Sequence, residues 1–302
     1  MEMVDLGETG LRVSRLGMGG AEFHRHDDLN TAATVGSVLN AALDQGINLL
    51  DTAACYPKNE DLIGETVSHR RDEYVLATKC GHLGGLETGD DWTPETIAAS
   101  VDRSLRALRT DRVDILQLHS CGLAELQRGD VIEAVTRAQE QGKTRFVGYS
   151  GDNEAAMWAV QSGHFDTLQI SLSLADQQAR SRGVLAAAEA KGMGIIVKRP
   201  VANAVWRRDS APYHYASEYW RRTRLMEAMG EVPGEPDDPF LTAFGFVLAH
   251  PEVDTIIVGT HNQDHVRGNI DMLAHRLPIP PETVHELQRR FDQLDDGWPG
   301  LI

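Results

Sequence analysis

The sequence predicts an α/β protein folded as a (β/α)8 barrel, the TIM-barrel arrangement, with an N-terminal β-hairpin and an extra C-terminal helix. Three observations carry that expectation. Eight short runs are nearly continuous in apolar, β-favouring residues rather than alternating, as suits parallel strands covered on both faces. Segments of helical periodicity lie between these runs, which makes a right-handed closed barrel the economical arrangement. The 302 residues fit one large α/β unit, and no low-complexity linker divides them, so a single domain over 1–302 is expected.

In chain order, "VDLGETGLRVSRL" (4–16) reads as a hairpin with Gly7 and Gly10 in its turn. "RLGMGG" (15–20) is the first barrel strand, followed by the helix "TAATVGSVLNAALDQG" (31–46), which Gly46 ends. "INLLD" (47–51) and "EYVLATK" (73–79) are the next strands. "TPETIAASVDRSLRALRTD" (93–111) takes Thr93 as N-cap and Pro94 in its first turn, with Ile97, Val101, Leu105 and Leu108 on one face. Its charged face reads as a solvated surface.

The remaining strands are "RVDILQLH" (112–119), "TRFVGYS" (144–150), "DTLQIS" (166–171), "GIIVKR" (194–199) and "DTIIVGT" (254–260). The helices among them are "DVIEAVTRAQEQGK" (130–143), "NEAAMWAVQSG" (153–163), "ARSRGVLAAAEAKG" (179–192), "PFLTAFGFVLAHP" (239–251) and "NQDHVRGNIDMLAH" (262–275). "PPETVHELQRRFDQLDD" (280–296) is the added C-terminal helix. The stretch 199–238 reads as a long irregular segment; its aromatics after Trp206 (Tyr213, Tyr215, Tyr219 and Trp220), together with Trp92, are candidate pocket walls.

Composition narrows the function classes. A net charge of −16 argues against a nucleic-acid surface, which needs local positive charge. No apolar run approaches membrane-spanning length. The acidic start "MEMVDLGETG" is not a secretory signal, so a cytoplasmic protein is expected. Cys55, Cys80 and Cys121 match no compact zinc spacing and fit a reduced compartment; no metal is expected on them. "HRHDD" (24–28) could ligate a metal but reads as a solvated loop.

Catalytic groups of a parallel barrel sit at the C-terminal strand ends. Reading the last residues of the runs gives Asp51, Lys79, His119, Ser150, Gln169 with Ser171, and Lys198, with Tyr56 just beyond Asp51. A free tyrosine titrates near ~10, and a neighbouring ammonium lowers that value, so Lys79 is expected to soften Tyr56. Asp51 would hold Lys79 protonated, and His119 would orient the oxygen that exchanges a proton with Tyr56. The set lacks an electron source and suits a cofactor that brings hydride.

"GINLLDTAACYPKNEDLIGETV", "YVLATKCG" and "DILQLHSCG" resemble the three signature segments of the aldo-keto reductases, and the likeness extends from "TGLRVSRLGMGG" through "HNQDHVRGNI". The resemblance implies carbonyl reduction, with Tyr56 as catalytic acid/base and Asp51, Lys79 and His119 as partners. It also implies a nicotinamide dinucleotide extended across the barrel mouth without a Gly-x-Gly-x-x-Gly fingerprint, and none occurs here. NADP(H) is the first choice and NAD(H) the second.

By the same resemblance Ser150 and Gln169 hold the carboxamide, and Gly19, Gly20, Asp51, Lys198 and Arg199 lie along the cofactor. Gly259, Thr260, Gln263, His265 and Asn269 close on the adenosine phosphate, with Asn269 at adenine. Ser150–Gly151 stands where many members have serine–asparagine, leaving Asp152 or Asn153 to compensate. Lys198 replaces a flat aromatic, and Gly259 and His265 fall where cations grip the 2′-phosphate, with Arg267 two positions on and backbone donors beside Gly259 as substitutes. Two other classes fit the residues: a nicotinamide-binding sensor without turnover, and a lyase using Lys79 as a Schiff-base amine.

Overall fold

The computed structural model describes residues 1–24, 31–84, 86 and 88–301. The "HRHDD" reading falls outside the described residues, apart from the backbone of its first position. Ten strands are present among the described residues. β1 (Met3–Asp5) and β2 (Arg12–Ser14) form an antiparallel hairpin. The other eight are β3 (Leu16–Gly19), β4 (Leu49–Asp51), β5 (Val75–Cys80), β6 (Val113–His119), β7 (Thr144–Ser150), β8 (Thr167–Ser171), β9 (Gly194–Lys198) and β10 (Thr255–Val258). They form a closed parallel barrel in the order β10-β3-β4-β5-β6-β7-β8-β9.

Helices return the chain between strands: α1 (Ala32–Asp44), α2 (Asn59–Val67), α3 (Pro94–Ala107), α4 (Leu123–Arg128), α5 (Asp130–Glu140) and α6 (Asn153–Ser162). After β8 come α7 (Gln178–Ser181) and α8 (Val184–Glu189); after β9 come α9 (Ser217–Glu227) and α10 (Pro239–Leu248). α11 (Gln263–His275) and α12 (Pro281–Leu294) complete the chain. Among the described residues no helix is long and apolar enough to cross a membrane.

Local chemistry accounts for these boundaries. The Thr93 side chain accepts from the Thr96 N–H at 3.2 Å, capping α3, and Pro94 occupies its first turn. Ile97, Val101 and Leu108 are fully buried on the α3 face that meets the barrel. Gly46, at φ +87°, follows the last turn of α1 as expected.

Four expectations change. The predicted helix 179–192 is broken at Gly183, whose φ of +72° interrupts the α-helical backbone. The irregular 199–238 stretch contains α9. The chain also forms α2 and α4, which the apolar pattern did not reveal. Arg103, on the charged α3 face, is not a plain solvated group: it donates to Ala54 O at 3.2 Å and lies 3.4 Å from the buried Glu60 carboxylate.

The barrel floor is closed by the hairpin. Leu6, Leu11 and Val13 pack against the inward residues Leu49, Val75, Ile115, Ile196 and Ile257 near the strand starts. Gly7 makes this approach possible: its φ is +50°, and a Cβ would stand 2.4 Å from Gly194 N. Asp254 Oδ2 accepts from Gly7 N at 3.1 Å and from Ile195 N at 2.8 Å, tying hairpin to barrel. Alternate strand residues point inward, so the polar strand ends emerge together at the opposite mouth.

Candidate active site

Register brings the polar ends together. Met18–Gly19 of β3 align with Leu50–Asp51 of β4, His119 pairs laterally with Ser150, Ser150 with Gln169, and Ser171 with Lys198. A buried hydrogen-bond chain follows: Ser150 Oγ donates to Gln169 Oε1 at 2.8 Å, and Gln169 Nε2 donates to Asp51 Oδ1 at 2.8 Å. Lys79 Nζ then lies 2.8 and 2.7 Å from the two Asp51 oxygens and 2.9 Å from Thr52 O. Lys79 is 2% exposed and Asp51 3%, so this is an interior ion pair whose hydrogen-bonding capacity is used. Burial lowers the Lys79 pKa, but the Asp51 carboxylate and Tyr56 more than restore it, and the net direction is upward.

Tyr56 stands on the turn between β4 and α2. Tyr56 N donates to Ala53 O at 3.0 Å, and the buried Asn59 side chain donates to Gly20 O at 2.5 Å, bracing that turn against the end of β3. The Lys79 ammonium lies 5.7 Å from the Tyr56 ring centroid, and the His119 ring meets it edge-on at 5.7 Å. The expected softening of Tyr56 is not the net result. Burial pushes its pKa up, and the opposing pull of Lys79 does not overcome that.

His119 is held well below the usual imidazole range by burial, then by Lys79, His82, Lys198 and Arg199. Its ring is therefore neutral near pH 7 and offers one N–H. Cys55 Sγ lies 3.2 Å from its Nδ1. The β5–α3 loop covers this side: the His82 ring contacts His119 at 5.3 Å and Trp92 at 4.7 Å, and His82 Nδ1 lies 2.8 Å from Asp91 Oδ2. His82 and Asp91 were missed by sequence reasoning, although His82 sits three residues past Lys79 at the same strand end.

The cofactor positions divide. Ser150 and Gln169 form a donor–acceptor pair beside Asp51, chemically suited to a carboxamide, so the residues present fit a nicotinamide. Neither proposed substitute for the missing asparagine is available: Asp152 is ion-paired to Lys198 at 2.8 Å, and Asn153 is bonded both ways to Gly300. Gly151 is glycine because a Cβ would stand 2.4 Å from the Tyr149 hydroxyl. Lys198 is thus a paired cation, not a mobile one. Arg199 donates to Ser171 Oγ at 3.0 Å and Leu301 O at 2.6 Å and lies over the Tyr215 ring.

At the far corner a Cβ on Gly259 would lie 2.6 Å from Glu22 Cγ and 2.8 Å from Gly19 O, so no lysine fits there. Thr260 Oγ1 lies 3.1 Å from His265 Nδ1, Gln263 bonds Ser37 on α1, and Asn269 is half-buried on α11. Arg267 pairs with Asp264 at 2.9 Å. Gly20 lies against the β4 end, where a Cβ would be 3.0 Å from Asp51 O.

Of the expected pocket aromatics, Trp92 packs on His82 at the mouth and Tyr215 lies under Arg199, whereas Tyr219 is fully buried and Trp220 donates to Arg208 O at 2.9 Å. The segment Trp298–Leu301, unanticipated from sequence, is fastened beside Arg199: Leu301 N donates to Asp176 at 2.7 Å, and Gln178, Arg182 and Arg222 donate to the Trp298 and Pro299 carbonyls. Among the described residues no three His, Cys, Asp or Glu side chains are placed to hold a metal. Burial raises all three thiols, Cys121 to about 12.

The chain matches the model of the Aldo/keto reductase family over residues 15–289. It is 26% identical to L-galactose dehydrogenase of Arabidopsis thaliana, over 100% of this chain and 98% of that protein. It is also 26% identical to the NADH-specific methylglyoxal reductase of Escherichia coli, over 94% and 97% of the two chains. A solved aldo-keto reductase from Bacillus halodurans, in its holo form, superposes with a TM-score of 0.80 at 26% identity, covering 96% of each chain.

Proposed function

The chain belongs to the aldo/keto reductase family and is an NAD(P)H-dependent oxidoreductase, and from that premise we propose that it reduces an aldehyde or ketone reversibly with Tyr56 as general acid/base. One observation carries the reading: the buried chain Ser150–Gln169–Asp51–Lys79 ends beside the Tyr56 ring, with His119 against that ring. Reduced nicotinamide, when bound, supplies the hydride.

The side chains do the rest. Burial keeps Tyr56 a neutral phenol, so it begins as a proton donor to the carbonyl oxygen, and Lys79 stabilises the phenolate left behind. Neutral His119 donates its N–H to the same oxygen. Ser150 and Gln169 orient the carboxamide; Gly19, Gly20, Lys198, Arg199, Gly259, Thr260, Gln263, His265 and Asn269 line the dinucleotide. The lyase alternative loses support, because a Schiff base needs an amine lone pair and Lys79 is held as an ammonium by Asp51 and Thr52 O.

One barrel unit over 1–302, acting in the cytoplasm, is taken to carry the activity. The family resemblance favours NADP(H), yet the close packing at Gly259 leaves no room for a lysine at one phosphate position. We therefore assign use of NAD(H) alongside NADP(H); a preference for NADPH above about a hundredfold in kcat/KM would contradict it. Hexoses and methylglyoxal are the first carbonyls to try. Tyr56→Phe should retain nicotinamide binding, read by fluorescence quenching, while losing on the order of a hundredfold or more in turnover. Wild-type turnover in that variant removes Tyr56 from the mechanism.

A further inference from the structure

From the 3.2 Å contact between Cys55 Sγ and His119 Nδ1 we infer that Cys55 is a positioning residue: its thiol proton, donated to Nδ1, holds His119 as the Nε2–H tautomer. That tautomer presents an N–H to the carbonyl oxygen, whereas the alternative, Nδ1–H donating to sulfur, would present a lone pair and repel it. The inference rests on the reductase reading of this site and deepens it.

Four observations select the first arrangement. The imidazole lone pair is a better acceptor than a thiol sulfur. Burial keeps the Cys55 thiol protonated, and burial together with the cations around His119 keeps the ring neutral, so the pair consists of one S–H and one ring lone pair. Among the described residues the His119 ring has no other hydrogen-bond partner. The thiol is also confined: a Cβ on Gly84 would stand 2.4 Å from Cys55 Cα and 2.6 Å from its Cβ, so the β5–α3 loop closes directly on this residue.

The proposal is tested on protein carrying 15N-labelled histidine. The wild-type His119 signals are expected to show a proton on Nε2 and none on Nδ1. Cys55→Ala should mix the two tautomers and lower kcat/KM for the carbonyl between about threefold and tenfold, with nicotinamide affinity unchanged. Cys55→Ser, which keeps a donor, should restore both the spectrum and the rate. A wild-type ring protonated on Nδ1, an alanine variant with an unaltered spectrum, or a serine variant as impaired as alanine overturns it. Turnover of Tyr56→Phe bears on the reductase reading and the histidine spectrum on Cys55, so the two fail separately.

Discussion

Lys79 shows how a single residue is committed by its surroundings. Its ammonium is buried, and it meets both oxygens of Asp51 and a backbone carbonyl. Such a pair adds little stability over an apolar pair, but removing one partner strands a buried charge. Lys79→Met should therefore cost about 3–5 kcal/mol in urea unfolding, because among the described residues Asp51 keeps only the Gln169 amide. A loss below about 1 kcal/mol would mean that water reaches Asp51 in the variant. Sequence placed Lys79 and Asp51 correctly, since each ends an apolar run. It misjudged Tyr56, because the sign of a pKa shift depends on how deeply the neighbours bury the phenol, and burial is not written in the local sequence.

Among the elements, α2 has the most consequence for the site. It carries Asn59, which braces the Tyr56 turn, and Glu60, which accepts from Thr78 at 2.6 Å and Ser104 at 2.9 Å. Its acidic first turn, Glu60 and Asp61, was the available signal, but its short apolar set, Leu62, Ile63 and Val67, gave no sustained period. Gly64 sits where α2 meets the end of α3, and a Cβ there would lie 2.0 Å from Ala107 O. Alanine normally favours a helix over glycine by about 1 kcal/mol. Here the sign reverses, and Gly64→Ala should destabilise by about 1–3 kcal/mol in thermal or urea unfolding and lower turnover, since the Tyr56 turn moves with α2. An unchanged or raised Tm would contradict that packing.

For the whole molecule, two buried groups give opposite pH dependence. Burial, then the charge of Asp152, raises Asp176 to about 7 from 3.8. Its folded pKa exceeds its unfolded value, so its contribution is fullest below about 3.8 and is lost as pH rises through about 7. His119 is depressed from 6.5, so its contribution is present above that value and is lost as pH falls below it. Asp176→Asn keeps an acceptor for Leu301 N and should gain stability relative to wild type as pH rises from about 4 to 8. Tm measured across that range checks this; parallel curves for the two proteins would contradict it.

The barrel, the hairpin and the identity of the polar strand ends were determined by the sequence itself, because apolar runs and their terminating residues are local patterns that burial and pleating act upon directly. What tertiary structure alone decided was partnership: Asp152 with Lys198, Cys55 with His119, Arg103 with the Tyr56 turn, and Trp298–Leu301 with the barrel mouth. Those pairs all join residues 46 or more positions apart. Their choice depends on how the staves of the barrel tilt and which loops cross the mouth, so the physical information resides in space and not along the chain.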